Sequence, residues 1–197
     1  MTAGRSNTDS VSLHWCTPPK YVKVIKEFFG GEIALDPCSN EYSVVGANSE
    51  YRLPESDGLV LPWNAPTVFV NPPYGRDRLR GTSIINWFKK CQDTHLHFGA
   101  EVLALVPVAT NTRHWKEFVF GAAEGVVFLY DTRLKFLEKG GAIGKGAPMA
   151  CAMVYWGSDY NRFEYFFLPF GAVLDLRPLQ GMEIGIPAFA LQEVNSK

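Results

Sequence analysis

Hydrophobic and polar positions along the chain alternate between helix-like and strand-like blocks. Apolar residues recur at helical spacing in residues 21–28, 84–91 and 113–120, which predicts a buried face on each of three helices. Short runs rich in apolar and β-branched residues are typical of buried strands. These runs cover residues 33–35, 67–70, 101–109, 125–130, 149–156 and 163–168. The alternation predicts a three-layer α/β domain with a mostly parallel sheet and an antiparallel hairpin at one edge.

Length and composition favour one globular domain between less regular ends. The 197 residues are 47% hydrophobic and 20% charged, which suits a single full core. Residues 1–12 are small and polar and are predicted to form a disordered leader. Residues 176–197 lack a clear period and are predicted to form an irregular tail. The folded domain is therefore expected to span residues 13–175.

Charge and cysteine usage narrow the function classes. The net charge is −1, so binding to nucleic acid would need a local basic patch. No apolar run is as long as a membrane span, and no signal peptide is recognisable. The four cysteines lie far apart without a C-x-x-C pair, and no third ligand lies near His95 and His97. We therefore expect a cytoplasmic protein with reduced thiols and no metal.

The most informative stretch is the end of the apolar run at residues 67–70, followed by Asn71-Pro72-Pro73-Tyr74. Two prolines remove two N–H donors and fix two φ angles, so a stiff turn should follow a buried strand. Ligands bind at the carboxyl ends of strands in open α/β sheets. The Asn71 side-chain oxygen and a proline carbonyl could grip a planar amino group beside an aromatic ring. A β-turn with a packed tyrosine is the alternative.

Two aspartates follow predicted turns or strands. Asp36 comes directly after the strand at residues 33–35, where a carboxylate can bind a ligand's hydroxyl or ammonium group or cap its own turn. Asp57 precedes Gly58, which is an ordinary turn signal, so local sequence favours a turn there.

Two loops carry clustered basic residues. Arg76, Arg78 and Arg80 follow the Asn71 turn, and residues 131–148 combine several glycines with basic residues that include Lys145. Both loops could contact phosphates, although a solvated loop explains the charges equally well. Lys145 does not belong to a phosphate loop, because no Ser or Thr follows it.

The motifs, taken in order, resemble those of phage and prophage DNA N-6-adenine methyltransferases of the Dam type. The resemblance spans residues 15–156. It rests on Trp-x-Thr-Pro at 15–18, Asp-Pro-Cys at 36–38, Asp-Gly-Leu at 57–59, Trp63, Asn-Pro-Pro-Tyr-Gly at 71–75 and Arg-Leu-x-Phe at 133–136. The family implies a Rossmann-like fold with a seven-stranded sheet whose last strand is antiparallel. It also implies S-adenosylmethionine as cofactor and, for a phage enzyme, action in the host cytoplasm.

The resemblance also implies a cofactor site. Asp36 and the Thr17-Pro18 segment would hold the methionine portion, and Asp57 with Leu59 would contact the adenine. The full implied set is Trp15, Thr17, Pro18, Asp36, Pro37, Cys38, Asp57 and Leu59. The chain departs from many methyltransferases in lacking a Gly-rich loop at residues 36–40. The ribose-binding residue is not identified, with Glu50 as a candidate.

For the substrate, the resemblance implies a flipped adenine. Asn71 and the Pro72 carbonyl would accept its amino hydrogens, with Pro73 stiffening the turn. Tyr74 would stack on one face of the base, and Phe136 would either stack on the other face or belong to the core. Candidate phosphate contacts are Arg76, Arg78, Arg80, Arg133, Lys135 and Lys145.

Two other functions satisfy parts of the pattern. A methyltransferase acting on RNA, on cytosine N4 or on a protein glutamine presents the same planar amino group to Asn71. A nucleic-acid-binding protein could keep the fold without catalysis, although the intact motif at residues 71–74 argues against it. No separate target-recognition domain and no obligate protein partner are evident.

Overall fold

A seven-stranded sheet forms the centre of the protein. The computed structural model describes residues 15–131, 133–139, 141–143, 147 and 149–182. The elements there are β1 Trp15–Cys16, α1 Pro19–Phe28, β2 Leu35–Ser39, β3 Ser49–Arg52, β4 Thr67–Val70, β5 Arg76–Asp77, β6 Thr82–Ser83, α2 Ile84–Phe98, β7 Glu101–Pro107, a π-helical turn Trp115–Phe120, β8 Gly125–Leu129, β9 Leu137–Glu138, β10 Ala142–Ile143, β11 Cys151–Trp156, α3 Tyr160–Phe167 and β12 Gly171–Asp175. The predicted leader and most of the predicted tail lie outside the described residues.

The sheet is mixed but mostly parallel in direction, as predicted. Its strand order is β12-β8-β11-β7-β4-β2-β3. Strands β3, β2, β4 and β7 are parallel neighbours, whereas β11 is antiparallel to both β7 and β8. The prediction of an antiparallel hairpin at the edge is therefore wrong in one respect. Strand β11 lies inside the sheet, and only β12 is an antiparallel edge strand.

Both faces of the sheet are buried, which explains its near-continuous apolar strands. Alternate residues of a strand point to opposite faces. Phe69 and Leu103 pack in one cluster with residues of α1 and α3, whereas Val68 and Val102 pack in a second cluster with residues of α2 and the π-helical turn. The arrangement is consistent with a Rossmann-like fold.

Helices α1 and α2 each begin after a defined N-cap residue. In α1 the first helical residue is Pro19 and the preceding Pro18 is the N-cap residue, with no side-chain cap. Thr17 does not cap this helix, and its hydroxyl instead accepts a hydrogen bond from the Asn71 side chain. In α2 the N-cap residue is Ser83, whose N–H donates to the Asn86 side chain (2.9 Å) in a capping box.

Two predicted strands need correction. Residues 163–168 are not a strand but lie in α3 and the turn after it, and Tyr160, Phe163 and Phe167 form the buried face of that helix. The strand that completes this edge is β12, in residues for which no strand was predicted. The predicted strand at residues 33–35 is shifted to Leu35–Ser39, so Asp36 lies within it.

Candidate active site

The site lies where the parallel strands β2 and β4 end side by side. Strand β3 lies on one side of β2, and β4 and β7 lie on the other side. Because the chain turns to opposite sides at this point, a crevice opens outside the strand ends. A cavity of ≈ 440 Å³ occupies this position. Residues of four predicted motifs line it, together with Arg80: Trp15, Pro37, Cys38, Asp57, Asn71 and Pro73.

Asp36 is buried next to the residues that line this cavity. It is 4% exposed and does not line the cavity, whereas Pro37, Cys38 and Ser39 do. One Asp36 oxygen accepts a hydrogen bond from the Cys38 N–H (3.1 Å). Burial raises the pKa of Asp36 to about 7, with a smaller raising effect from Glu50, while the Cys38 N–H acts in the opposite direction.

The β2 backbone bulges at this point. The pairing register with β3 shifts between Asp36 and Ser39, and Pro37 in between has no N–H for the ladder. Cys38 is partly buried, and desolvation raises the pKa of its thiol well above the ordinary value. The thiol is therefore protonated at neutral pH.

The loop that carries Asp57 is pressed against β2. Asp57 Oδ1 accepts a hydrogen bond from the Leu59 N–H (2.8 Å), so the predicted turn is present. A Cβ atom placed on Gly58 would lie 1.7 Å from the Pro37 carbonyl oxygen. Only glycine allows this approach. The two backbone segments implied to hold the cofactor are thus in direct contact.

Two cations hold the same loop from outside. Arg80 donates to Asp57 Oδ2 (2.9 Å). Lys90 on α2 donates to the Leu59 and Leu61 carbonyls at 3.0 and 2.6 Å, and its ammonium lies over the Trp63 ring. Desolvation by burial lowers the pKa of Lys90. The loop is therefore fixed by contacts from elements that follow it in the chain.

Asn71 emerges from β4 as the strand ends. Its amide nitrogen donates to the buried Thr17 hydroxyl (3.2 Å), which orients the Asn71 side chain. In the part of the chain that the structure describes, neither the Asn71 Oδ1 atom nor the Pro72 carbonyl accepts a hydrogen bond. Pro72 is buried, and Pro73 lines the cavity. Asn71 Oδ1 is thus a free acceptor in a residue that lines the cavity, and the Pro72 carbonyl next to it in the chain has no partner among the described residues.

Tyr74 belongs to a cluster of three aromatic rings. Strand β1 pairs with β9, which brings Trp15 next to Phe136. These two rings are stacked, with centroids 5.1 Å apart and an interplanar angle of 9°. Tyr74 meets Phe136 edge-on at 5.8 Å and donates to the Leu105 carbonyl (3.4 Å). Burial raises the pKa of Tyr74 well above its usual range.

The arrangement of these rings bears on the role of Phe136. It is 1% exposed, as a core residue would be, and Trp15 stacks on it. A base sandwiched between two rings separates them by about 7 Å, twice the carbon contact distance. Tyr74 and Phe136 are closer and nearly perpendicular. A base therefore fits between them only after a side chain has moved.

A comparison with known protein families agrees with this site. The family model described as DNA N-6-adenine-methyltransferase (Dam) matches residues 5–168. The chain belongs to this family. The family's general activity is N6 methylation of adenine in DNA. No match was found among curated proteins or among solved structures.

The structure of this Dam-family chain separates the predicted cofactor residues into two groups. Trp15, Pro37, Cys38 and Asp57 line the cavity. The others do not line it: Thr17, Pro18, Asp36 and Leu59. The ribose candidate Glu50 also lies outside the cavity lining. Its carboxylate accepts from Ser39 (3.1 Å) and pairs with Arg52.

The residues predicted to contact phosphates differ in whether their charge already pairs with a carboxylate. Arg76, Arg78, Arg133 and Lys135 are exposed and make no ion pair with any described residue. Arg80 is instead held by Asp77 and Asp57, so its guanidinium is already engaged. Lys145 lies outside the described residues.

Sequence reasoning missed three contributors to the site. The sequence patterns indicated no role for Lys90, only a possible phosphate contact for Arg80 and only a turn at Gly58. The Asp-Gly dipeptide could not reveal the contact with Pro37. No helix in the described ranges could cross a membrane, and no group of three or more His, Cys, Asp or Glu residues there could hold a metal ion.

Proposed function

We propose that this protein transfers a methyl group from S-adenosylmethionine to the N6 amino group of adenine in DNA, at specific sites and by direct in-line transfer. The observation that carries the proposal is the pair of open acceptors at Asn71 and Pro72 beside a ligand-sized cavity. The family's general activity supports the choice of DNA adenine. The proposal includes a three-layer Rossmann-like fold and action in the cytoplasm, of a bacterial host if the protein is phage-encoded.

The cavity fits the cofactor by size and by chemistry. Its volume of ≈ 440 Å³ is typical of small-molecule sites, which measure about 300–1,000 Å³. Trp15, Asp57 and the segment at residues 37–39 would contact the cofactor directly. Asp36, Thr17 and Pro18 would act from behind the wall, and Leu59 would offer its backbone. The bound cofactor would supply an electrophilic sulfonium methyl group.

Asn71 and Pro72 would activate the target nitrogen. The lone pair of an exocyclic amino group is delocalised into the ring, which makes the nitrogen a poor nucleophile. The Asn71 Oδ1 atom and the Pro72 carbonyl would accept its two hydrogens and localise the lone pair. The hydrogen bond from Asn71 to Thr17 supports this role, because it leaves Oδ1 as the free end of the amide. Positioning and electrostatics would supply the rate enhancement, without a metal.

Tyr74 and Phe136 would enclose the target base. A stacked adenine cannot reach the site, so it must be flipped at a cost of a few kcal/mol. Tyr74 would stack on one face of the extruded base. Phe136 can take the other face only if Trp15 leaves its present stacking position. Entry of the base and displacement of Trp15 are therefore one event in this proposal.

Exposed basic residues on both sides of the site would bind the DNA backbone. Arg76 and Arg78 lie on the segment after Tyr74, and Arg133 and Lys135 lie before Phe136. Their lack of carboxylate partners among the described residues supports phosphate contacts. Lys145 would belong to the second group. Arg80 would act in the site through Asp57 rather than by binding phosphate.

A methyl-transfer assay with purified protein tests the proposal. DNA, RNA and peptide substrates are each incubated with labelled S-adenosylmethionine, and modified DNA bases are mapped. We expect transfer to adenine N6 in DNA. Transfer confined to RNA or to a peptide would refute the DNA substrate. DNA binding without transfer to any substrate would favour a non-catalytic nucleic-acid-binding protein.

Asn71→Ala tests the catalytic site. We expect this variant to lose transfer by at least about a hundredfold while it still binds the cofactor, since the lost interaction acts on the transition state. Asn111→Ala, at an exposed position after β7, is the matched control and should keep full activity. Turnover of Asn71→Ala at the wild-type rate would refute the role of Asn71.

A further inference from the structure

A short two-stranded ribbon projects from the chain just after the catalytic turn. Strands β5 and β6 pair so that Arg76 lies opposite Ser83 and Asp77 opposite Thr82. Residues 78–81 form the tip. The ribbon begins two residues after Tyr74, and Arg80 of its tip lines the cavity together with Asn71 and Pro73.

The tip is rigid and presents one apolar side chain to solvent. Asp77 Oδ1 accepts hydrogen bonds from the N–H groups of Leu79 (2.9 Å) and Arg80 (3.0 Å). Gly81 has a φ of +67°, a value that favours glycine and lets the tip return to β6. Leu79 is 100% exposed and packs against nothing in the core.

The base of the ribbon is fixed to the cofactor loop. Arg80 Nε donates to Asp77 Oδ2 (2.7 Å), and another nitrogen of the same guanidinium donates to Asp57 Oδ2 (2.9 Å). The Arg80 side chain is only 23% exposed, so solvent weakens this bridge less than a surface ion pair. The bridge fixes the position of Leu79 relative to the cavity.

Geometry and charge suit this tip for contact with a duplex. Leu79 is five residues from Tyr74, at most about 17 Å along an extended chain. Arg76 and Arg78 precede it on the chain, are exposed, and form no ion pair with any described residue. A lone exposed leucine is common on protein surfaces and has no meaning alone. This leucine differs, because it lies on a tip that hydrogen bonds hold, directly after two arginines without an ion pair among the described residues and before an arginine that lines the cavity.

We propose that Leu79 is a wedge that enters the duplex next to the target adenine and fills the space that the flipped base leaves. Apolar side chains that insert between base steps unstack them and stabilise distorted DNA. Arg76 and Arg78 contact phosphates near the wedge, and the Asp77–Arg80–Asp57 bridge aligns the wedge with the cavity. This inference rests on the proposed function.

The test compares Leu79→Ala with wild type on two duplexes. In the first the target adenine is paired with thymine, and in the second it faces an abasic site, where flipping breaks no base pair. We expect Leu79→Ala to slow transfer to the paired target by about tenfold, because alanine buries much less apolar surface in the gap than leucine does. Transfer to the unpaired target should change less than about twofold. Leu79→Met should restore the rate on paired DNA.

A fluorescent 2-aminopurine at the target position reports flipping directly. Leu79→Ala should give a smaller fluorescence rise than wild type at saturating protein. The matched control is Leu96→Ala, which removes an exposed leucine of α2 and should behave as wild type on both duplexes.

The outcomes separate the wedge from the proposed function. Equal rates of Leu79→Ala and wild type on the paired target would overturn the wedge, as would an equal loss on both duplexes. If wild-type protein methylates neither duplex nor any other DNA, the proposed function fails and the wedge with it.

Discussion

Replacing Asp36 by Asn should stabilise the protein at neutral pH while it weakens cofactor binding. Asp36 is 4% exposed, and burial raises its pKa from the ordinary 3.8 to about 7. The folded protein therefore holds the Asp36 proton more tightly than the unfolded chain does. Stability from this group is fully present below pH 3.8 and is lost as the pH rises through about 7.

The size of the effect follows from the two pKa values. The difference between 3.8 and about 7 corresponds to about 4 kcal/mol in the free energy of unfolding, and almost all of it is lost at about pH 8. At about pH 5.5 roughly half of it is already lost. Asparagine does not titrate and can still accept the Cys38 N–H hydrogen bond. The stability gain of Asp36→Asn should therefore grow by about 2 kcal/mol between these pH values.

Urea unfolding at the two pH values measures this gain for Asp36→Asn against wild type. The control is Asp175→Asn, because hydrogen bonds from Arg177 lower the Asp175 pKa. Its native stabilisation is fully present above pH 3.8 and is lost only as the pH falls below that value, so this variant should be destabilised by the same amount at both pH values. Titration calorimetry should show weaker cofactor binding by Asp36→Asn. A gain for Asp36→Asn that is independent of pH would refute the reasoning.

Two further variants test the loop that carries Asp57. Gly58→Ala should lower the free energy of unfolding by about 1–3 kcal/mol and weaken cofactor binding at least tenfold, because its Cβ would lie 1.7 Å from the Pro37 oxygen. The control is Gly141→Ala, whose Cβ would have nothing within 4 Å. Unchanged cofactor binding by Gly58→Ala would contradict the close contact. Lys90→Met should cost about 1–3 kcal/mol in urea unfolding by leaving two carbonyls unpaired. Lys89→Met should cost under about 1 kcal/mol, and equal effects of the Lys90 and Lys89 variants would argue against the importance of the two Lys90 hydrogen bonds.

Local signals were sufficient for the elements around the catalytic turn. The run at residues 67–70 forms β4, and the two prolines end it because they cannot donate to the ladder. The spacing of Tyr21, Val24, Ile25 and Phe28 defined the buried face of α1. These features depend on the backbone and on residues less than two helical turns apart. The ordered motifs were also sufficient for the family, since each is a local pattern.

Local patterns were not sufficient where two structures suit the same residues. Aromatic residues at 163–168 favour a strand by propensity, yet Tyr160, Phe163 and Phe167 are also spaced as a helical face. Packing of Phe163 and Phe167 around Phe28 of α1 is satisfied only by the helix. The position of β11 inside the sheet likewise depends on pairing with two strands that precede it by many residues.

The working state of each site residue depends on partners far away in the chain. Thr17 orients Asn71 across 54 residues, Arg80 holds Asp57 across 23, and Trp15 covers Phe136 through pairing of β1 with β9. Sequence spacing cannot specify such contacts, because they depend on the path of the whole backbone and on which donors reach a given acceptor. The sequence thus identifies the groups that the chemistry needs, and the fold assigns each of them a partner.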